Sequence, residues 1–271
     1  MKKNLLLVAL AVLGCVNVFA QDEETTVKTE TYTPVGDTFV RSSAASNKYG
    51  TQNVLEIWTA SDGTDFVGLM SFNLPEKEEE IAKATLVLHA ERVKGDRMLT
   101  IYPFEYAIDE ANDTYNTQGD NVKAARENDP IASGELNGQS NKAVTDDLGD
   151  DYKTADAWKT EFDITEYVAS KGSGDINLLL THNGDDNNHN VKVYSKDVED
   201  VTLKDGETVF SKDDLMPKLI VEYTISSGIE NVETEAADAE KKIYTISGVR
   251  VSKVTAPGIY IVNGKKMVIN K

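Results

Sequence analysis

Five aromatic residues, Trp58, Tyr102, Tyr115, Trp158 and Tyr194, and four cationic ones, Arg41, Arg97, Lys192 and Lys196, offer the clearest chemistry in this sequence. Flat rings suit the apolar face of a sugar, and cations suit its hydroxyls or carboxylates. Lys192, Tyr194 and Lys196 alternate, so in an extended strand they project from one face and form the preferred cluster. The plainer alternative is a Tyr194 half buried in a sheet and two lysines forming a solvated rim. Trp58 closes an alternating run and Trp158 precedes a strand, so either can equally be core.

The run His182-Asn183-Gly184-Asp185-Asp186-Asn187-Asn188-His189 is rich in oxygen donors. Hard oxygen ligands suit Ca²⁺, and Asp185, Asp186 and Asn187 are the candidate ligands of a structural calcium ion. The run does not follow EF-hand spacing, and a plain polar hairpin loop is the commoner reading of such a run. Zinc through His182 and His189 lacks a nearby third nitrogen or sulfur ligand. Asp146-Asp147 and Asp150-Asp151 form a second acidic cluster that reads as solvated surface.

Catalytic signatures are sparse. There is no Gly-x-Ser-x-Gly elbow, no phosphate-cradling glycine loop and no His-Glu-x-x-His, and the histidines number three, His89, His182 and His189. A carboxylate-pair glycosidase stays open, because pairs such as Glu105 and Asp109 are abundant in an acidic chain. A lyase using Lys192 and Tyr194 is a further alternative. No other cofactor is called for.

The elements that must position these residues are strands. Short segments rich in Val, Ile, Leu, Thr and Tyr recur between clusters of Gly, Asn, Asp and Ser, the pattern of a sandwich or barrel. Strands are expected near Asp37 to Arg41, Val54 to Trp58, Asp65 to Asn73, Ala82 to Glu91, Arg97 to Glu105, Thr160 to Asp163, Asp175 to His182, Val191 to Lys196 and Lys218 to Ile225. In Ala84 to Glu91, the set Ala84, Leu86, Leu88, Ala90 faces one way and Thr85, Val87, His89, Glu91 the other. A short helix is expected over Ile164 to Ser170, capped by Asp163 and ended by Gly172. Asn112 to Asp156 is polar and reads as a long loop with one short strand around Ile131 to Leu136.

The ends carry their own signals. Lys2 and Lys3, the apolar run Leu5 to Leu13 and Val18-Phe19-Ala20 read as a signal peptide over residues 1–20. The run is too short to span a bilayer, so no transmembrane segment is expected in the mature chain. Val12-Leu13-Gly14-Cys15 leaves a lipoprotein alternative, and Cys15 is the only cysteine, so a chain cut after Ala20 has no disulfide and no thiolate metal site. The formal net charge of −18 becomes −20 once Lys2 and Lys3 are removed, a sign that opposes nucleic acid and anionic lipid. Ser226-Ser227-Gly228 and the acidic stretch to Glu240 read as a linker, placed over 227–241. Beyond it, 242–271 alternates around Ser247-Gly248, Pro257-Gly258 and Asn263-Gly264 as a small β tail ending in a hairpin.

Two stretches resemble known families. Gly36-Asp37-Thr38-Phe39-Val40-Arg41, Asn47-Lys48-Tyr49-Gly50, Val54-Leu55-Glu56-Ile57, Leu69 to Leu74 and Ile81 to Leu86 are similar to the DNRLRE domain, also described as carbohydrate-binding module family 96. Later motifs agree: Glu110 with Thr114-Tyr115-Asn116, Phe162 to Val168, Val193-Tyr194-Ser195-Lys196-Asp197 and Pro217 to Val221. The resemblance covers roughly Thr33 to Ile225 and places a domain over 33–226. It implies a jelly-roll-like antiparallel β-sandwich that binds extracellular polysaccharide, with uronate polymers such as alginate as the ligand class. Tyr115 stands where that family usually has Trp, and the loop from Gly119 to Asp156 is longer than usual. The tail Ile243 to Val251 and Pro257 to Lys266 resembles the C-terminal sorting domain of the type IX secretion system of Bacteroidetes. It implies that secretion machinery as a partner and a secreted or outer-membrane cell-surface location.

The combined expectation is an all-β, secreted or surface-displayed binding module without catalysis. The carbohydrate-binding candidates are Arg41, Trp58, Tyr115, Lys192, Tyr194 and Lys196. A structural or adhesive surface protein without sugar affinity is the first alternative, and a polysaccharide hydrolase or lyase the second.

Overall fold

The structure is a computed structural model that describes residues 26–59, 64–94, 98–139, 141–182, 190–225, 242–253, 256–262 and 265–269. The chain divides into two compact units, one ending at Ser227 and one beginning at Gly228. The signal-like segment 1–20, the linker 227–241 up to Lys241, Arg97, the Asn263-Gly264 turn and the proposed calcium ligands Asp185, Asp186 and Asn187 lie outside the described residues.

The first unit is an antiparallel β-sandwich. Its strands are β1 (Thr26–Tyr32), β2 (Gly36–Arg41), β3 (Val54–Thr59), β4 (Asp65–Leu74), β5 (Glu80–Lys94), β6 (Met98–Pro103), β7 (Ala132–Glu135), β8 (Lys159–Asp163), β9 (Gly174–Thr181), β10 (Asn190–Tyr194), β11 (Val201–Thr202), β12 (Val209–Phe210) and β13 (Lys218–Ile225). The hydrogen-bonded order is β1-β13-β5-β10-β3-β4-β9-β6-β7, with β2 on β4 and β8 on β5. All nine strands expected from alternation are present. The inward face expected for β5 is the observed one, with Ala84, Leu86, Leu88 and Ala90 buried, although Val87 and His89 of its other face are buried too; along β13, Leu219, Val221 and Tyr223 face the core. Burying each large apolar side chain contributes about 1.5–3 kcal/mol.

One strand joins the two layers. Leu55 and Ile57 of β3 pair with Val193 and Val191 of β10, whereas Trp58 and Thr59 pair with Phe66 and Asp65 of β4. The strand therefore crosses from one sheet to the other between Ile57 and Trp58, and both residues turn toward the core side. Strands that switch sheets in this way form the corners of β-sandwiches.

Three features depart from the sequence expectation. β1 precedes Thr33 and pairs along its whole length with β13; its Thr-Val-Lys-Thr-Glu-Thr-Tyr run is too polar to announce a strand, because an edge strand needs only one paired side. The stretch read as a long loop contains the helix α1 (Tyr115–Ala125) before the expected short strand β7. The alternating strands are also not open on their outer faces. Val67 and Leu69 of β4, with Val40, Tyr102, Phe104 and Leu179, are sealed under Val122 and Ala125 of α1. On the other sheet, Tyr194 is sealed in a cluster with Val144, Leu148, Trp158, Val198 and Leu215.

Helix α2 (Thr165–Lys171) forms where expected, with Asp163 accepting from the Thr165 backbone N–H at 2.9 Å and Gly172 ending it at φ 71°. A single turn, α3 (Lys212–Leu215), brings Leu215 into the Tyr194 cluster. Among the described residues no helix is long and apolar enough to cross a membrane.

The second unit is a four-stranded antiparallel sheet of β14 (Ile243–Thr245), β15 (Arg250–Val251), β16 (Gly258–Val262) and β17 (Lys265–Ile269), in the order β15-β14-β16-β17. The Ser247-Gly248 turn is present, with Gly248 at φ 82°, a conformation glycine adopts at no steric cost.

Candidate functional site

Two of the six carbohydrate-binding candidates meet. Arg41 ends β2, Trp58 lies just past the corner of β3, and both stand opposite Phe66 of β4. Direct cross-strand partners share a face, so the three side chains form one row across three strands. The Arg41 guanidinium carbon lies 4.5 Å from the Phe66 ring centroid, and the Trp58 ring lies 4.6 Å away at a 30° tilt. Phe66 is buried, while Arg41 and Trp58 are each half exposed. Arg41 Nε donates to Ser43 Oγ at 2.6 Å, which leaves its two Nη groups without a hydrogen bond among the described residues. A flat indole beside a planar, pre-oriented fork of donors matches the two demands of an acidic sugar.

The other four are placed differently. Tyr115 opens α1 and lies against Gly119, where a Cβ would come within 2.9 Å of its ring, so it packs the helix onto the second cluster. Lys192 is held 2.7 Å from Glu56 on the neighbouring strand. Tyr194 is 3 % exposed and belongs to the third cluster, so the strand face expected to display it is covered and its ring offers no surface to a sugar. Burial also pushes its hydroxyl well above the ordinary tyrosine range, with Glu91 adding to the shift. The reason is tertiary: residues 144–158 and 198–215 fold over β10, and a single strand's alternation carries no record of them. Of the remaining aromatics, Trp158 is fully buried and donates from Nε1 to the Tyr152 carbonyl, and Tyr102 lies under α1.

Lys196 leads to a constellation that residue spacing did not reveal. Its Nζ lies 2.9 Å from Glu110 Oε1, a charge contact rather than an aligned hydrogen bond, and 3.1 Å from Asp197 Oδ1. Its backbone N–H donates to Asp37 Oδ2 at 2.8 Å. Asp37, Glu110 and Asp197 each offer one carboxylate oxygen, and these oxygens lie within 4.8 Å of one another. Asp37 is 1 % exposed, and its second oxygen, Oδ1, is buried without a hydrogen-bond partner. Burial pushes the Asp37 carboxyl up to about 7 against the backbone N–H of Lys196, and the charges of Glu110 and Asp197 add to the rise. Glu110 is raised as well, chiefly by burial.

The seat of Glu110 is sterically strict. A Cβ on Gly50 would stand 2.0 Å from the Glu110 carbonyl oxygen and 2.7 Å from its Cγ, which no side chain can meet. Gly36-Asp37, Asn47-Lys48-Tyr49-Gly50, Glu110 and Ser195-Lys196-Asp197 are separate motifs in the sequence, and the fold brings all four to one end of β2 and β10. That convergence was the available signal, since nothing in the spacing of Asp37, Glu110 and Asp197 marks them as neighbours.

No curated protein matches the chain. Residues 28–133, which carry Asp37, Arg41, Gly50, Trp58 and Glu110, match the family model of Carbohydrate-binding module family 96, and this supports reading the β-sandwich as a carbohydrate-binding module.

Proposed function

We propose that this chain is an exported, noncovalent polysaccharide-binding module whose ligand docks on Arg41 and Trp58, which flank the buried Phe66 ring. What supports the reading most is the register that sets a guanidinium and an indole on either side of one phenyl ring, within a stretch that matches a family of binding modules. The guanidinium favours uronate polymers such as alginate, whose carboxylates accept a two-pronged donor. The signal-like leader and the sorting-like tail support delivery to the cell surface or beyond it through the type IX machinery. Binding without turnover fits the acids as well: the most strongly perturbed carboxyl, Asp37, is sealed from solvent and out of reach of a substrate.

Electrophoresis through gels containing alginate or a neutral glucan tests this. Retarded migration in alginate without depolymerisation is the expected result. Arg41→Gln and Trp58→Leu, each with an unchanged far-ultraviolet spectrum, should weaken retention about tenfold, the equivalent of roughly 1.4 kcal/mol. Release of shortened chains would move the assignment to a lyase or hydrolase, and silence across a panel of glycans would leave the adhesive role.

A further inference from the structure

The constellation of Asp37, Glu110 and Asp197 belongs neither to the sugar-binding row nor to any interior packing the fold requires. Three carboxylates held this close repel, and Asp37 is sealed from the water that reaches Glu110 and Asp197. With all three ionised, the Lys196 ammonium leaves the group two charges short of neutrality. Asp37 Oδ1 is buried without a hydrogen-bond partner among the described residues, and Glu110 Oε1 has only the off-axis ammonium. An unsatisfied buried oxygen costs about 1–3 kcal/mol, so a positively charged partner at this place would stabilise the fold.

We propose that Asp37, Glu110 and Asp197 bind one divalent cation, with Ca²⁺ as the preferred ion. The donor set is all oxygen, which suits a hard cation, and no histidine or thiol among the described residues joins it. Carboxylate oxygens that all lie within 4.8 Å of one another can share one ion whose oxygen ligands lie at about 2.3–2.6 Å, and three protein carboxylates in one shell suit Ca²⁺ better than Mg²⁺, which keeps several of its waters. The ion neutralises the remaining charge and gives Asp37 Oδ1 its partner, while the Lys196 ammonium holds the outer side of Glu110 and Asp197. Because Asp37 starts β2, Glu110 lies in the loop after β6 and Asp197 follows β10, the ion ties three distant segments together. This site is distinct from the Asp185-Asp186-Asn187 run.

The test uses the full chain carrying Asp185→Asn and Asp186→Asn, so that the acidic run contributes nothing. After EDTA treatment, calorimetric titration with CaCl₂ should give one ion per chain. The melting temperature should rise with CaCl₂ and much less with MgCl₂ at equal ionic strength. Asp37→Asn should abolish the calcium response and raise the melting temperature of the EDTA-treated protein, since the amide removes one repelling charge and supplies a donor to Glu110. Asp197→Asn serves as the second variant should Asp37→Asn fail to fold, and should weaken binding by about tenfold or more. Absence of stoichiometric binding in the parent, or calcium binding that survives both substitutions, would overturn the proposal.

Discussion

Lys192, Tyr194 and Lys196 alternate along one strand, yet each has a different environment: an ion pair with Glu56, burial in an apolar cluster, and a place among three acids. Whether a side chain meets a ligand is set by what covers it, and Arg41 and Trp58 stay partly exposed beside Phe66 even though Trp58 packs against the main core. Burial acts on His89 in a way that solution measurements can read. Its removal from water pushes the imidazole down to about 4, aided by Lys218 and Lys159 and opposed by the Leu215 backbone and Asp156. In the unfolded chain the same group titrates near 6.5. Between those values the unfolded state binds the extra proton, so stability is fully present above pH 6.5 and is lost as pH falls toward 4. Comparing urea denaturation of wild type and His89→Gln at pH 7.5 and 4.5 cancels the carboxylates common to both. Wild type should lose on the order of 2–3 kcal/mol more than the variant, and equal losses would contradict the assignment.

At the scale of elements, α1 shows how a polar segment becomes structure. Its start is a capping box in which Thr114 accepts from the Thr117 backbone and Thr117 accepts from the Thr114 backbone N–H. Its end is tied to the sandwich by Arg126, whose two Nη groups donate to Asp65 at 2.7 and 2.9 Å. Thr59 Oγ1 donates to the same carboxylate, so the pair also fixes the junction of β3 and β4 beside the Trp58 row. Removing one partner of a buried pair leaves the other charge desolvated, and Arg126→Met should cost about 3 kcal/mol, measured by urea denaturation. A loss under 1 kcal/mol would mean that water replaces the guanidinium freely. The sequence does not announce α1, because Tyr115, Val122 and two alanines are its only apolar contribution and its cap uses Thr rather than the commoner Thr-to-Glu pairing. The nine strands were legible because short runs of β-branched, aromatic and apolar residues recur between turn residues, a property local to each strand.

At the scale of the molecule, the sandwich and the tail sheet are separate compact units. The sandwich has its own core, from Phe39 and Leu55 through Phe162 and Leu178 to Tyr223. Deleting 228–271 should therefore leave its main calorimetric unfolding transition in place, and a lowered midpoint would show that the tail supports the sandwich. Alternation and turn residues indicated from sequence alone that this is a β-rich chain and which face of β5 points inward, because such properties repeat every two residues and depend on no distant partner. Only the tertiary structure decided that α1 and the segments around Trp158 and Leu215 cover the outer faces, and that Arg41 meets Trp58 over Phe66. It alone brought Asp37, Glu110 and Asp197 together, because contacts between residues so far apart in the chain depend on how the strands are ordered and where β3 turns its corner, and neither has a local period to read.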